Sequence, residues 1–134
     1  MKKDSQIFKE NKKSFKRFTL SFKYCYEGIR YAFYHEQNII VMLVMGIIAM
    51  ILGIILGISY TERLVVILLI GMILSLEMIN TAIEAVVNLV TTEKKPLAKV
   101  AKDCASGAVG IASIFAFILG ILIYLPKLIE FFRG

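Results

Sequence analysis

The chain has 134 residues, 58% of them hydrophobic, with a mean hydropathy of +0.76. Soluble domains lie nearer about 45–50% apolar, so the composition argues against one. Only 19% of residues are charged, yet the formal net charge is +6, which indicates a membrane protein with basic cytoplasmic segments and, with no recognition motif beside it, no binding of nucleic acid.

Trp is absent, so any aromatic belt falls to the six Tyr and nine Phe. The first strongly apolar run begins only near Ile39, after a long basic segment, and it lacks a cleavage site. No signal peptide is therefore expected. Cys25 and Cys104 lie in basic regions without metal-ligand spacing and read as small apolar residues.

Residues 1–14 are polar, mostly basic and expected to fray. From Phe8 a helical pattern runs through Phe15, Phe18, Phe22, Cys25 or Tyr26, Ile29 and Phe33, with Lys9, Lys13, Lys16, Arg17, Lys23 and Arg30 opposite. This is a basic amphipathic helix of the kind that lies in a membrane interface. It serves as an anchor, or it presents Arg17, Lys23, Tyr24 and Arg30 to an anionic ligand. Tyr34 to Asn38 is a short polar knot that reads as a turn or as a continuation of the helix. His35 is the only histidine and reads as interfacial.

Ile39 to Ile58 is uncharged and long enough to span a bilayer. Gly46, Gly53 and Gly57 mark a close-packing face, the last two as a GxxxG pair. Ser59 to Arg63 reads as a polar link, and a second helix runs from Leu64 to about Val90. In the 92–106 segment, Pro96 suits the first turn of a new helix, on which Lys99, Lys102, Asp103 and Ser106 share a face. The alternative is a positive-inside loop. Gly107 to Leu125 is the third span, with Gly107, Gly110 and Gly120 as packing positions and Pro126 as its end. The chain thus divides into a surface helix over 1–37, a three-helix membrane domain over 38–125 and a short tail over 126–134.

Through Gln37 there are nine Lys or Arg against four acids, and over 91–104 four against two. The positive-inside rule puts both segments in the cytoplasm. Three spans then put the C-terminus outside.

The second span carries an expensive feature. Glu77, Asn80, Thr81, Glu84 and Asn88 lie at helical offsets that place all five on one stripe. Glu77 and Glu84 are about 10 Å apart along the axis, too far to share one metal ion directly. Charges at membrane depth call for a partner or a job. Glu36, the stripe and Lys102-Asp103 all fall at the same interface. Carboxylates and lysines without a His or Cys cluster favour Mg²⁺ over zinc, and Mg²⁺ with basic groups suggests a polyphosphate. A carboxylate at membrane depth suggests a lipid alcohol as second substrate. There is no Walker A sequence and no kinase Gly-rich loop. Three helices hardly enclose two substrates, so a homo-oligomer is expected.

The run E-M-I-N-T-A-I-E-A-V-V-N over 77–88 resembles the signature E-x-x-N-S/T-A/S-I/L-E-x-x-V-D of the prokaryotic diacylglycerol kinase family, especially its Gram-positive branch of undecaprenol kinases. The resemblance extends through S-F-K-Y-C-Y-E-G-I-R-Y-A-F at 21–33, H-E-Q-N at 35–38 and A-K-D at 101–103, and covers about residues 15–125. It implies an all-α homotrimer in the cell membrane, with a surface helix and three membrane helices per chain. It implies ATP- and Mg²⁺-dependent phosphorylation of a lipid hydroxyl in sites shared between protomers. Glu77 then matches the general base and Asn80 an active-site amide, with Glu36 and Glu84 as metal-bridging carboxylates. Lys102 and Asp103 match nucleotide-holding residues, and Arg17 and Tyr24 match surface-helix positions near lipid and nucleotide.

Two departures from the pattern matter. Asn88 stands where the signature ends in Asp, keeping an acceptor oxygen without the charge; weaker nucleotide or metal binding, or a changed nucleotide preference, is the expected consequence. Glu93-Lys94-Lys95 replaces a frequent Glu-Tyr-His run, which removes an aromatic contact to the nucleotide. The expected product is undecaprenyl phosphate. The alternatives are a diacylglycerol kinase making phosphatidic acid, and a non-enzymatic membrane subunit in which Glu77 and Glu84 serve packing alone.

Overall fold

The computed structural model describes residues 2–133, with side chains from Phe15 onward. It contains four helices: α1 (Lys2–His35), α2 (Gln37–Ile55), α3 (Tyr60–Val90) and α4 (Pro96–Arg133). The chain forms two compact units, one ending at His35 and the other beginning at Glu36. The expectations for Phe8, Lys9 and Lys13 fall outside the described side chains.

Within α1, Phe15, Phe18 and Phe22 are exposed, and the rings of Phe18 and Phe22 meet edge to face at 5.1 Å. That is the i,i+4 aromatic contact of a helix face. Thr19 donates to the Lys16 carbonyl at 3.0 Å and Ser21 to the Arg17 carbonyl at 3.0 Å, which reconciles these residues with a helix interior. The polar knot is a break of one residue. Glu36 is extended, with φ −117° and ψ 109°, and α2 starts at the next residue.

Helices α2, α3 and α4 are each long and apolar enough to cross a membrane, so this is a multi-pass membrane protein. At 19 residues, α2 is about 28 Å long, close to the thickness of a hydrocarbon core. It ends three residues before the expected Ile58. Gly57 takes a positive φ of 64°, which a Cβ would oppose. Ile58 N–H donates to the Gly53 carbonyl at 3.0 Å and Gly57 N–H to the Ile54 carbonyl at 3.3 Å. Those two bonds are the Schellman closure of a helix C-terminus. A Cβ on Gly53 would lie 2.6 Å from the Ile58 side chain and 3.2 Å from the Tyr124 hydroxyl. The GxxxG pair therefore closes a helix as well as allowing α4 to approach. Gly46 does serve helix packing, since a Cβ there would meet Ile70 of α3 at 2.9 Å.

The link after α2 is also shorter than expected. Ser59 caps α3, and its hydroxyl accepts from Glu62 N–H at 3.3 Å. The Glu62 carboxylate accepts from Ser59 N–H at 2.7 Å. This capping box starts the helix at Tyr60, four residues before Leu64. At 31 residues α3 is about 46 Å long, so one end must project beyond the hydrocarbon.

Pro96 opens α4 as expected, but Pro126 does not end it. Proline removes one backbone bond, and the helix continues through it to Arg133. Lys127 and Glu130, 3.4 Å apart, support the turn beyond it. Gly107 and Gly110 meet nothing within 4 Å in this chain, so they are not intrachain packing positions. The small residues buried on α4 are Ala105 and Ala112, in one stripe with Val109.

The central helix α3 packs against both α2 and α4. A buried cluster of Ile58, Val66 and Ile123, backed by Ala49, Ile70 and Tyr124, joins the three helices near the α2–α3 link. There the Tyr124 hydroxyl donates to the Ala49 carbonyl at 2.8 Å. An apolar groove of about 670 Å³ lies beside this cluster and includes Gly120, which is why that glycine also meets open space.

Gly57→Ala should lower the stability of the detergent-solubilised protein by about 1–2 kcal/mol, because it forces a Cβ into the left-handed region. Tyr124→Phe should cost less, about 0.5–1 kcal/mol, the usual worth of one hydrogen bond between membrane helices. Unfolding in a denaturing detergent titration measures both. A Gly57→Ala protein as stable as the parent would contradict the closure described above.

Candidate active site

The polar stripe on α3 forms as a gradient of burial. Glu77 is 1% exposed, Asn80 7% and Thr81 6%, and these are the buried polar residues among those described. Glu84 is half-buried and Asn88 exposed. The stripe thus runs from a dry interior to the open end of the helix.

Thr81 is satisfied locally, its hydroxyl donating to the Glu77 carbonyl at 3.0 Å. The other two buried groups are not. Glu77 Oε1 and Asn80 Oδ1 have no hydrogen-bond partner among the described residues. A buried polar atom left unpaired costs about 1–3 kcal/mol. The helix register explains why no donor reaches them. Val66 lies with Ile123 at one end of the α3–α4 pair, and Asn88 bonds Lys102 at the other. This antiparallel register sets the 77–81 segment level with about 109–113. The buried α4 side chains there are Val109 and Ala112, neither of which carries a donor, and the half-buried Ser113 hydroxyl makes no hydrogen bond to either acceptor. The pair is therefore a buried acceptor site with no bonded donor among the described residues.

Near the polar ends of α3 and α4 the geometry differs. Lys102 donates from Nζ to Asn88 Oδ1 at 2.8 Å, joining the two helices across their connection. Lys99 and Asp103, expected on the same face as Lys102, bond one another instead, with Nζ and Oδ2 2.5 Å apart. The hydrogen bond and then the charge of Asp103 hold the exposed Lys99 ammonium above the usual lysine range. Asp103 itself is exposed.

Glu36 precedes α2 as its N-cap residue and is half-buried. Its side chain makes no capping hydrogen bond, so the carboxylate is not consumed by the helix end. Among the described residues no three His, Cys, Asp or Glu side chains cluster as a ready metal cage. Arg17 and Tyr24 are exposed on α1, in the other compact unit.

The structure thus joins Asn88 to Lys102, puts Glu77 beside Asn80 and pairs Asp103 with Lys99. Sequence spacing predicted the stripe but not the bond between Asn88 and Lys102. Those residues are 14 apart, and nothing local in either helix signals the pairing. The capping box did have a local signal, the S-x-x-E at 59–62.

A family model described as prokaryotic diacylglycerol kinase matches residues 23–124. The undecaprenol kinase of Bacillus subtilis (strain 168) is 39% identical over 120 residues, spanning 90% of this chain and 98% of that protein. A diacylglycerol kinase of Synechocystis is 36% identical over 112 residues, spanning 83% of this chain and 64% of that protein. A diacylglycerol kinase of Helicobacter pylori (strain J99) is 35% identical over 109 residues, spanning 81% and 85%.

Sites built for function are often costly to stability. Glu77→Met should therefore raise the ligand-free stability by about 1–2 kcal/mol by removing a buried, unpaired acceptor. Thermal unfolding in detergent checks this. A lower midpoint for the variant would mean that Glu77 has a structural partner.

Proposed function

Because the chain belongs to the prokaryotic diacylglycerol kinase family and is a membrane lipid kinase, we propose that it transfers the γ-phosphoryl group of ATP to the hydroxyl of undecaprenol. The products are undecaprenyl phosphate and ADP. The observation that carries this reading is the pair of buried, unpartnered acceptors on Glu77 and Asn80, one helical turn apart on an apolar helix. A lipid alcohol can bring an O–H donor to those acceptors through the bilayer, without a water-filled path.

In this reading Glu77 is the general base. It takes the hydroxyl proton as the lipid oxygen bonds to the γ-phosphorus. The bond from that phosphorus to the bridging oxygen breaks, and ADP leaves with the electron pair. The side-chain amide of Asn80 orients the reacting groups. Such transfers depend mainly on positioning and charge neutralisation.

Glu36 and Glu84 would hold Mg²⁺ with the nucleotide. Both are half-buried carboxylates, the hard oxygen donors that suit this ion, which keeps water and takes phosphate oxygens alongside one or two carboxylates. When bound, Mg²⁺ supplies neutralising charge on the phosphate oxygens. Lys102 and Asp103 hold the nucleotide, with Asn88 bonded to Lys102, and Arg17 and Tyr24 of the surface helix contribute to lipid and nucleotide binding.

The working unit is a homotrimer with sites between protomers. The basic first segment and the α3–α4 connection face the cytoplasm, where ATP is supplied. Most large apolar side chains of α2 and many of α4 are exposed in the single chain, which suits contact with lipid and with neighbouring copies. Diacylglycerol is the second reading for the acceptor, favoured by the names of the Synechocystis and Helicobacter relatives.

The test offers undecaprenol and diacylglycerol separately and in competition, with ATP and Mg²⁺ in detergent–lipid micelles. Faster phosphorylation of undecaprenol is expected, and equal rates would defeat that choice of acceptor. Glu77→Gln should reduce turnover by about 10²–10⁴-fold, the usual worth of a general base, with the oligomer intact by size-exclusion chromatography. Full activity in that variant would return Glu77 to a packing role.

A further inference from the structure

The lysines near the ends of α3 and α4 are held in different ways. Lys99 is paired with Asp103, and Lys95 lies 3.5 Å from the Glu93 carboxylate. Lys102 forms no ion pair among the described residues, and its ammonium is held by the neutral side-chain amide of Asn88. An ammonium has three N–H donors, so this contact leaves two for a ligand. It fixes one end of a flexible four-carbon stem without cancelling its charge. Lys102 is half-buried, whereas Lys99 is exposed. Asn88 stands in the last turn of α3, where the helix end carries a partial negative charge. That fractional charge attracts the ammonium far less than a carboxylate would.

We propose that Asn88 is a positioning residue that aims Lys102 at the nucleotide phosphates while leaving its positive charge uncancelled. This inference rests on the nucleotide-holding role given to Lys102 above. An aspartate at 88, as in the family signature, would turn the contact into an ion pair. An incoming polyphosphate would then have to compete with that carboxylate for the same ammonium. The amide avoids this competition and keeps the geometry.

The test measures equilibrium binding of β,γ-methylene-ATP with Mg²⁺ to the full-length protein in zwitterionic detergent. Asn88→Asp should weaken binding about three- to tenfold, within the range of a partly exposed ion pair. Asn88→Ala should weaken it too, by releasing the lysine, and Asn88→Gln should recover part of the loss. The penalty of Asn88→Asp should be at least twofold smaller in a Lys102→Met background, because it acts through that lysine. A merely structural role would shift the unfolding midpoint without this coupling.

Equal or tighter binding by Asn88→Asp would overturn the inference, as would an equal penalty with and without Lys102. An effect seen only when phosphatidylglycerol is added would assign the lysine to a lipid headgroup and overturn it as well. If the parent protein binds the analogue and phosphorylates lipid, those failures touch this inference alone. A parent that neither binds the nucleotide nor phosphorylates lipid would remove the proposed function and this inference together.

Discussion

Two buried acceptor oxygens with no partner among the described residues set the terms for the rest of the structure. Glu77 Oε1 and Asn80 Oδ1 lie on the central helix of the membrane unit. Together they cost a few kcal/mol against a net stability that for proteins is only about 5–15 kcal/mol. Such an arrangement persists only if the surrounding packing is firm enough to prevent relaxation. The cluster of Ile58, Val66 and Ile123 at one end and the bond of Lys102 to Asn88 at the other supply that firmness. Between them α4 presents buried Val109 and Ala112, which fill space without offering a hydrogen.

The connections between helices serve the same register. Gly57 closes α2 within two residues, and Ser59 with Glu62 opens α3 at once. A connection this short leaves little freedom for α2 to slide along α3. Ile58, inside the turn, is 4% exposed and belongs to the core, so the turn is anchored by burial as well as by backbone bonds. Tyr124 adds a direct bond from α4 to the backbone of α2. In an apolar medium such bonds face little competition from water, which is why a few of them can fix a bundle with small residues at its contacts.

Much of this was legible in the residues themselves. The three apolar helices follow from hydropathy, and the stripe from Glu77 to Asn88 follows from helical spacing, because both are local properties of a periodic backbone. Pro96 was read correctly as a helix start, since a missing N–H costs nothing there. The misreadings share one cause. Gly57 read as part of a helix-packing motif but closes α2, Pro126 read as a stop, and Gly107 and Gly110 read as packing positions but meet nothing within this chain. In each case the residue's role depends on what lies opposite, and the local sequence does not contain that. The S-x-x-E at 59–62 is different, a local signal whose weight is clear once its two hydrogen bonds are seen.

By itself, the sequence determined that the protein is helical and membrane-spanning, that five polar residues share one helix face, and which family's signature that face carries. These follow from composition, period and motif, each carried by neighbouring residues. Tertiary structure alone decided that Glu77 and Asn80 find no partner among the described residues, and that Lys102 reaches Asn88 on another helix. Those outcomes depend on the register between α3 and α4. That register is fixed by side-chain packing between residues distant in the chain, which no local pattern encodes.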